Sequence, residues 1–319
     1  MRVSLVSVLI VMVLGGCSEG GLAIGPYYIG FAGSSVSPFN GEFAYSHLED
    51  IVALGPRVSG SEAHGKMQGK IRSVLTESGL EIREHKFEAS TPLGLKPMTN
   101  IIGIVKGTKD GVIVIGNHYD TKYFPDFPFV GANDGGSTTA WMMEMARVLG
   151  PTREGYSIWL CWFDGEEAFE EWSAVDGLYG SRELVKELKE TGEIDSIKVM
   201  INVDMIGDCD LGIQREQGAP PWLTNIIWYK AKELDVGKHF LPHTISIEDD
   251  HIPFRKAGIP AINLIDFRYG SGPGAHDRNW HTANDTLERV CADSLQVVGD
   301  VVYHVLDDVE AAVESGEGR

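Results

Sequence analysis

Five short clusters in this 319-residue chain carry the residue types that bind metal or move protons. His118-Tyr119-Asp120 follows an apolar run at 111–115, and Gly131-Ala132-Asn133-Asp134-Gly135-Gly136 comes a loop later. Asp164-Gly165-Glu166-Glu167 follows the run 157–163, and Asp204 follows 198–203. Trp280-His281-Thr282 comes after a last strand-like stretch and a glycine-rich loop. Open α/β sheets bind their ligands beyond the carboxyl ends of strands, which is where these clusters fall. Any one such His or Asp reads as a turn or cap residue; the succession reads as a site. Catalytic zinc takes three protein ligands, imidazole nitrogen or carboxylate oxygen, and keeps a fourth position open. Asp134, Glu167 and His281 would supply that set. Successive side chains diverge, so Glu166 and Glu167 cannot both face one ion. One binds metal and the other handles protons.

The scaffold that must position these clusters shows in the periodicity. From Phe43 onward helical and strand patterns alternate without repeats or a long linker, which makes one domain the simplest count. Residues 44–79 read as helical segments broken at Gly55-Pro56, and 80–89, 100–106 and 111–115 read as strands. Met142, Met145, Ala146 and Leu149 recur at helical spacing within 137–149. The continuous apolar runs 157–163 and 198–203 fit strands covered on both faces, hence a central sheet flanked by helices. Further helices are expected at 178–190 and at 222–234, behind Pro220-Pro221, and a late strand at 258–265. In the closing helix, 293–309, Leu295, Val298, Val302, Val305 and Val309 form a stripe for core packing.

A net charge of −19 with only 27 Lys and Arg excludes nucleic acid as a partner, because phosphate neutralisation needs clustered cations. No polybasic membrane patch is present, and the acidity suits a solvated surface. Arg2 followed by the apolar stretch 3–14 reads as an export signal too short to span a bilayer. Its end, Leu14-Gly15-Gly16-Cys17, resembles the lipobox of bacterial lipoproteins. That resemblance implies a signal peptide at 1–16, lipidation of Cys17, a Gly/Ser-rich tether over 17–37, a folded domain over 38–319, and anchoring at the cell envelope as the one membrane link. The other cysteines, Cys161, Cys209 and Cys291, are odd in number and widely spaced, so they read as neither a disulfide framework nor a CxxC metal site. Cys161 reads as a small core residue; Cys209, beside a candidate metal loop, leaves a pairing open.

From 44 to 309 the chain resembles the M28 family of zinc aminopeptidases and their relatives, the mammalian-type glutaminyl cyclases. The order H-x-D, G-A-x-D, E-E, strand-end Asp, H-T-x-x-D is complete, ending in His281-Thr282-Ala283-Asn284-Asp285. The resemblance implies an open, twisted, mixed sheet in one α/β domain. It implies Asp134, Glu167 and His281 as ligands of a first zinc and Glu166 as general acid/base. His118 and Asp204 match a second zinc, bridged by Asp134, in the aminopeptidases, and Asp120 would hydrogen-bond His118 to orient it. The cyclases keep those positions while using a single zinc. One ion is therefore expected, with two left open.

The choice between the two activities rests outside the ligands. The stretch from Glu166 through Trp172 to Arg182 is very similar to glutaminyl cyclases, in which the tryptophan matching Trp172 walls the substrate pocket. Asp249 in Glu248-Asp249-Asp250-His251-Ile252-Pro253-Phe254 matches a carboxylate of the cyclase proton network, and Trp280 before His281 is again the cyclase form. The resemblance implies conversion of amino-terminal glutamine of peptides to pyroglutamate, with Glu166, Asp204 and Asp249 catalytic and Trp172 and Trp280 holding substrate. The alternative is an aminopeptidase in which Glu166 deprotonates a metal-bound water. Departures are Asn263 where the cyclases often carry a histidine, a longer glycine-rich loop at 266–279, and Asn117 before His118 in place of a cysteine pair near that motif.

Overall fold

The computed structural model describes residues 37–270 and 279–317. The expected signal peptide, Cys17 and nearly all of the tether lie outside the described residues, as does most of the 266–279 loop. Helix α1, Gly41–Val52, begins where the Asn40 side chain accepts hydrogen bonds from the Glu42 and Phe43 amides, satisfying donors that a helix start leaves orphaned. Helix α2, Glu62–Glu77, is capped in the same way by Ser61, and its buried face presents Met67, Ile71 and Leu75 at helical spacing. Strands β1, Glu81–Thr91, and β2, Gly94–Val105, form an antiparallel hairpin. In its turn Thr91 Oγ1 donates to the Gly94 carbonyl and accepts from the Leu93 amide.

Strand β3, Lys109–His118, leads to helix α3, Thr138–Leu149, and strand β4, Tyr156–Phe163, to helix α4, Tyr179–Thr191. Then come β5, Ile197–Asp204; β6, Ile213–Glu216; α5, Pro221–Glu233; β7, Phe240–Ile245; the short α6, His251–Lys256; β8, Ala261–Ile265; and α7, Ala292–Ser315. The main sheet runs β1-β2-β4-β3-β5-β8, and β6 pairs with β7 in a small second sheet. β2 runs antiparallel to both of its neighbours, β1 and β4, while β4, β3, β5 and β8 are parallel, so the sheet is mixed as expected.

The continuous apolar runs are explained by cover on both faces. Ile113 and Ile115 of β3, with Ile158, Leu160 and Trp162 of β4, face one core with α1, α2, α3, α5 and α7. Their neighbours Val112, Val114, Trp159, Cys161 and Phe163 face a second core under α4 and α6. This is the period-2 alternation of a strand with apolar partners on either side. Truncating the fully buried Trp162 to Ala would cost about 3–5 kcal/mol.

The structure sharpens two expectations. The cysteines do include a disulfide: Cys209 and Cys291 are bonded across 82 residues, and spacing that long leaves no local signature. The 44–79 region breaks over nine residues between α1 and α2, not only at Gly55-Pro56. The hairpin turn and the elements β6, β7 and α6 carry no periodicity long enough to read. Cys161 is buried in the core, as expected.

Candidate active site

Parallel strands bring their carboxyl ends to one edge, and there the clusters meet. His118 closes β3, Asp204 closes β5, and Glu166 and Glu167 sit in the turn that leaves β4. Asp134 lies in an irregular helical turn, Ala132–Ser137, ahead of α3. That turn needs glycine at Gly131 (φ +50°) and Gly135 (φ +73°), where an added Cβ would also meet backbone oxygens at 2.5 and 2.8 Å. His281 itself holds φ 53°, a left-handed conformation uncommon for a residue with a Cβ, in the segment between β8 and α7.

The side chains converge in two groups that share Asp134. His281 Nε2 stands 3.1 Å from Glu167 Oε1 and 3.3 Å from Asp134 Oδ2. His118 Nε2 stands 3.1 Å from Asp134 Oδ1 and 3.4 Å from Asp204 Oδ1. A tetrahedral zinc shell with bonds of 2.0–2.2 Å separates its ligand atoms by about 3.3–3.6 Å, so both groups have nearly the spacing of a shell edge. His118 Nε2, Asp134 Oδ2 and Asp204 Oδ1 are also buried without a hydrogen-bond partner. Buried acceptor atoms left unpaired in both groups fit a cation.

Each element of the turn chemistry has a holder. Asp285 accepts from the Asn133 and Asp134 amides at 2.8 and 3.1 Å and from Tyr269 Oη at 2.8 Å, fixing the loop that carries Asp134. Asp120 differs from its expected role. Its Oδ1 is 3.6 Å from His118 Nδ1, too far for a hydrogen bond, and the carboxylate instead accepts from the Glu166 and Glu167 amides at 3.1 and 3.3 Å. The disulfide also reaches the site: Gly207 accepts from the Cys291 amide and donates to Asn133 Oδ1 at 2.7 Å, tying the loop after Asp204 to the loop of Asp134.

Burial pushes the Glu166 carboxyl well above its ordinary range, with Glu167 adding to the shift against the pull of His118. Asp249 is pushed to about 7 by burial and the neighbouring charge of Asp204, and Asp204 is itself raised by burial despite His118. Burial would lower His281, but Glu167 and Asp134 carry it to about 10. Asp134 goes down, because the two histidines outweigh its burial. Asn263 donates to Asp249 Oδ2 at 2.7 Å and accepts from Asn202 at 3.2 Å, so an amide that cannot release a proton holds Asp249 in place.

The two tryptophans stand differently. Trp280 stacks on His281 at a centroid distance of 4.0 Å and meets Phe267 edge-on. Trp172 is 42% exposed, with its indole N–H 3.5 Å from Glu248 Oε2, so it lies at the surface and is no part of the core. Phe124 and Phe129 also meet His281, both edge-on at 5.7 and 5.8 Å, from a segment that sequence periodicity left unread. Its run of aromatics and prolines, Tyr123-Phe124-Pro125-Asp126-Phe127-Pro128-Phe129, is the signal that could have flagged it.

The profile of peptidase family M28 matches residues 100–306. The chain belongs to peptidase family M28. Within that family it is similar to a glutaminyl-peptide cyclotransferase of Drosophila melanogaster, 28% identical over 79% of this chain and 78% of the relative. It is similar in structure to an Acidobacteriales bacterium glutaminyl cyclase, 40% identical, with 88% of this chain and 98% of the other covered at a TM-score of 0.83. A zinc-dependent exopeptidase from Parabacteroides distasonis also superposes, at 26% identity and a TM-score of 0.76, covering 86% of this chain and 99% of that one. The M28 fold thus accommodates both chemistries, and the ligand groups alone do not separate them.

Proposed function

We propose that this M28 chain is a zinc-dependent glutaminyl-peptide cyclotransferase, with Asp134, Glu167 and His281 holding the ion. Supporting this reading most directly are three buried carboxyls beside that group, Glu166, Asp204 and Asp249, all held above the ordinary carboxylate range by burial. Cyclisation needs such groups, because the substrate's own α-amine must lose a proton and its side-chain amide must leave as ammonia. Zinc bound there supplies Lewis-acid polarisation of the γ-carbonyl and stabilises charge developing on its oxygen.

Glu166 takes a proton from the α-amino nitrogen as that nitrogen bonds to the γ-carboxamide carbon, and returns it to the amide nitrogen as the carbon–nitrogen bond breaks. Asp204 and Asp249 share protons close to the leaving group, and Asn263 fixes the orientation of Asp249. Trp172 and Trp280 enclose the glutaminyl side chain and exclude water, which would otherwise hydrolyse the amide. A second reading, aminopeptidase activity, draws on the sharing of Asp134 between two ligand groups, a geometry that suits two ions. We read the disulfide as consistent with an exported, Cys17-lipidated protein, since such bonds persist in oxidising compartments.

The test is ammonia release from a Gln-initiated peptide, run beside an aminoacyl-anilide assay. Chelator-sensitive ammonia with a mass loss of one ammonia, and intact anilide, is the expected result. Anilide cleavage without ammonia would establish the aminopeptidase reading.

A further inference from the structure

Beside the candidate active site lies a trough of about 660 Å³, within the range of about 300–1,000 Å³ typical of ligand sites. Phe124, Phe127 and Phe129 form one wall, where Phe124 stacks on Phe127 at 4.6 Å and meets Phe129 edge-on at 5.4 Å. The lining also includes Leu93 at the β1–β2 turn and Phe169, which follows the Glu pair. Three contacts make the trough's wall adjoin the metal-competent group. Phe124 and Phe129 touch the His281 ring, and Lys122 Nζ donates to the Ala168 carbonyl at 2.7 Å while standing 4.0 Å from Glu167 Oε2. Its charge runs against the molecule: in a chain of net charge −19, the lining holds Lys96 and Lys122 and a single acid, Asp126. Lys96 Nζ lies over the Phe169 ring at 5.2 Å, with no acid bonded to it among the described contacts.

We infer that this trough binds the second and third residues of the peptide whose amino-terminal glutamine is cyclised, selecting an aromatic or large apolar side chain at the second and an acidic one at the third. The inference rests on the cyclase reading for the identity of the first residue, and on the trough for the rest. Phe124 and Phe129 touch His281 and so stand next to the place of the first residue, while Lys96 stands over Phe169 on the same lining. The ring pairs hold this wall with no regular secondary structure in the segment, so the surface is formed before substrate arrives.

The experiment compares Gln-Phe-Glu, Gln-Phe-Lys and Gln-Gly-Gly on the zinc-loaded protein and on Phe127→Ala and Lys96→Glu variants. For the unmodified protein, KM for Gln-Phe-Glu should lie about tenfold below that for Gln-Gly-Gly. Phe127→Ala should bring that ratio to about threefold or less. Lys96→Glu should reverse the order of Gln-Phe-Glu and Gln-Phe-Lys, a swap that misfolding does not produce. Ratios unchanged in both variants would overturn the trough assignment while leaving cyclisation standing. Should no peptide release ammonia, the cyclase reading falls instead. Calorimetric binding of Gln-Phe-Glu in a Glu166→Gln background, where turnover plays no part, then decides the trough. About tenfold weaker binding with Phe127→Ala supports it, and equal binding overturns it.

Discussion

Asp285 offers a sharp test of how the site is held, because it touches the proposed metal ligand only through backbone. Its two oxygens receive three donors, the Asn133 and Asp134 amides and Tyr269 Oη, and the residue is 1% exposed. Asp285→Asn keeps the shape and replaces one oxygen with an NH2 group. Whichever way the amide turns, a donor then faces a buried backbone N–H. Burial and the neighbouring Asp134 raise Asp285 to about 7, so the variant loses one hydrogen bond of ordinary strength, about 0.5–1.5 kcal/mol, and leaves a buried donor unsatisfied, about 1–3 kcal/mol more. With partial relaxation of the Gly131–Gly135 turn, a net loss of about 2–4 kcal/mol is expected in a urea unfolding series. The same displacement moves Asp134, so zinc affinity should fall about 10–100-fold, the usual cost of removing a partner behind a metal ligand. Zinc affinity measured by competition with a chromophoric chelator reads this directly. Affinity within threefold of the unmodified protein, with an unchanged urea midpoint, would refute the claim that Asp285 positions Asp134.

Glu166→Gln should lower kcat about 10²–10⁴-fold with zinc content unchanged, because Asp120 holds the residue's amide independently of its side chain; turnover within threefold of the unmodified enzyme would remove Glu166 from proton transfer. Replacing both Cys209 and Cys291 by Ser should cost roughly 4–5 kcal/mol from the 82-residue loop alone, and an unchanged denaturation midpoint would show the bond to be idle. Asp266 gives a pH signature: burial raises it from 3.8 to about 6, so the folded state favours its protonated form. Its contribution is therefore fully present below about pH 4 and is lost as pH rises through 6, up to about 3 kcal/mol. The stability of the unmodified protein relative to Asp266→Asn should fall between pH 4 and 7, and a gap that does not change with pH would contradict the shift.

Strand ends made the site readable. His118, Glu166, Glu167 and Asp204 could be placed in sequence because each follows an apolar run long enough to read as a strand, and parallel strands put those ends together. Asp134 and His281 sit in loops where periodicity carries no information, so their residue types and the resemblance of their motifs are what mark them. The disulfide, the β6–β7 pair and the trough were illegible for the same reason: each depends on contacts between residues far apart in the chain. Asp120 shows the limit of motif reasoning. The motif gives its neighbourhood beside His118, but the choice of backbone amides over the imidazole is set by the turn at Glu166 and Glu167.

The concentration of buried acids explains why this site needs both a cation and protons. Asp120, Asp134, Glu166, Glu167, Asp204, Asp249 and Asp250 are all below a tenth exposed, and one lysine, Lys122, approaches them, 4.0 Å from Glu167. Arg57 is fully buried behind the same loops, yet its guanidinium donates to the carbonyls of Val130 and Gly131 at 2.7 and 3.0 Å, and burial lowers its pKa to about 10. It braces backbone rather than pairing with a carboxylate. Buried carboxylates without cations are costly, and the two ways to neutralise them are metal binding and protonation. The acids divide between these routes: Asp134 and Glu167 point at imidazoles in metal-like spacing, Glu166 and Asp249 are raised toward the protonated form, and Asp204 shares both features, facing His118 at 3.4 Å while burial raises it. The same lack of basic partners thus raises three carboxyls toward the protonated form, and a cation bound to the metal-competent group would add to stability by neutralising the rest.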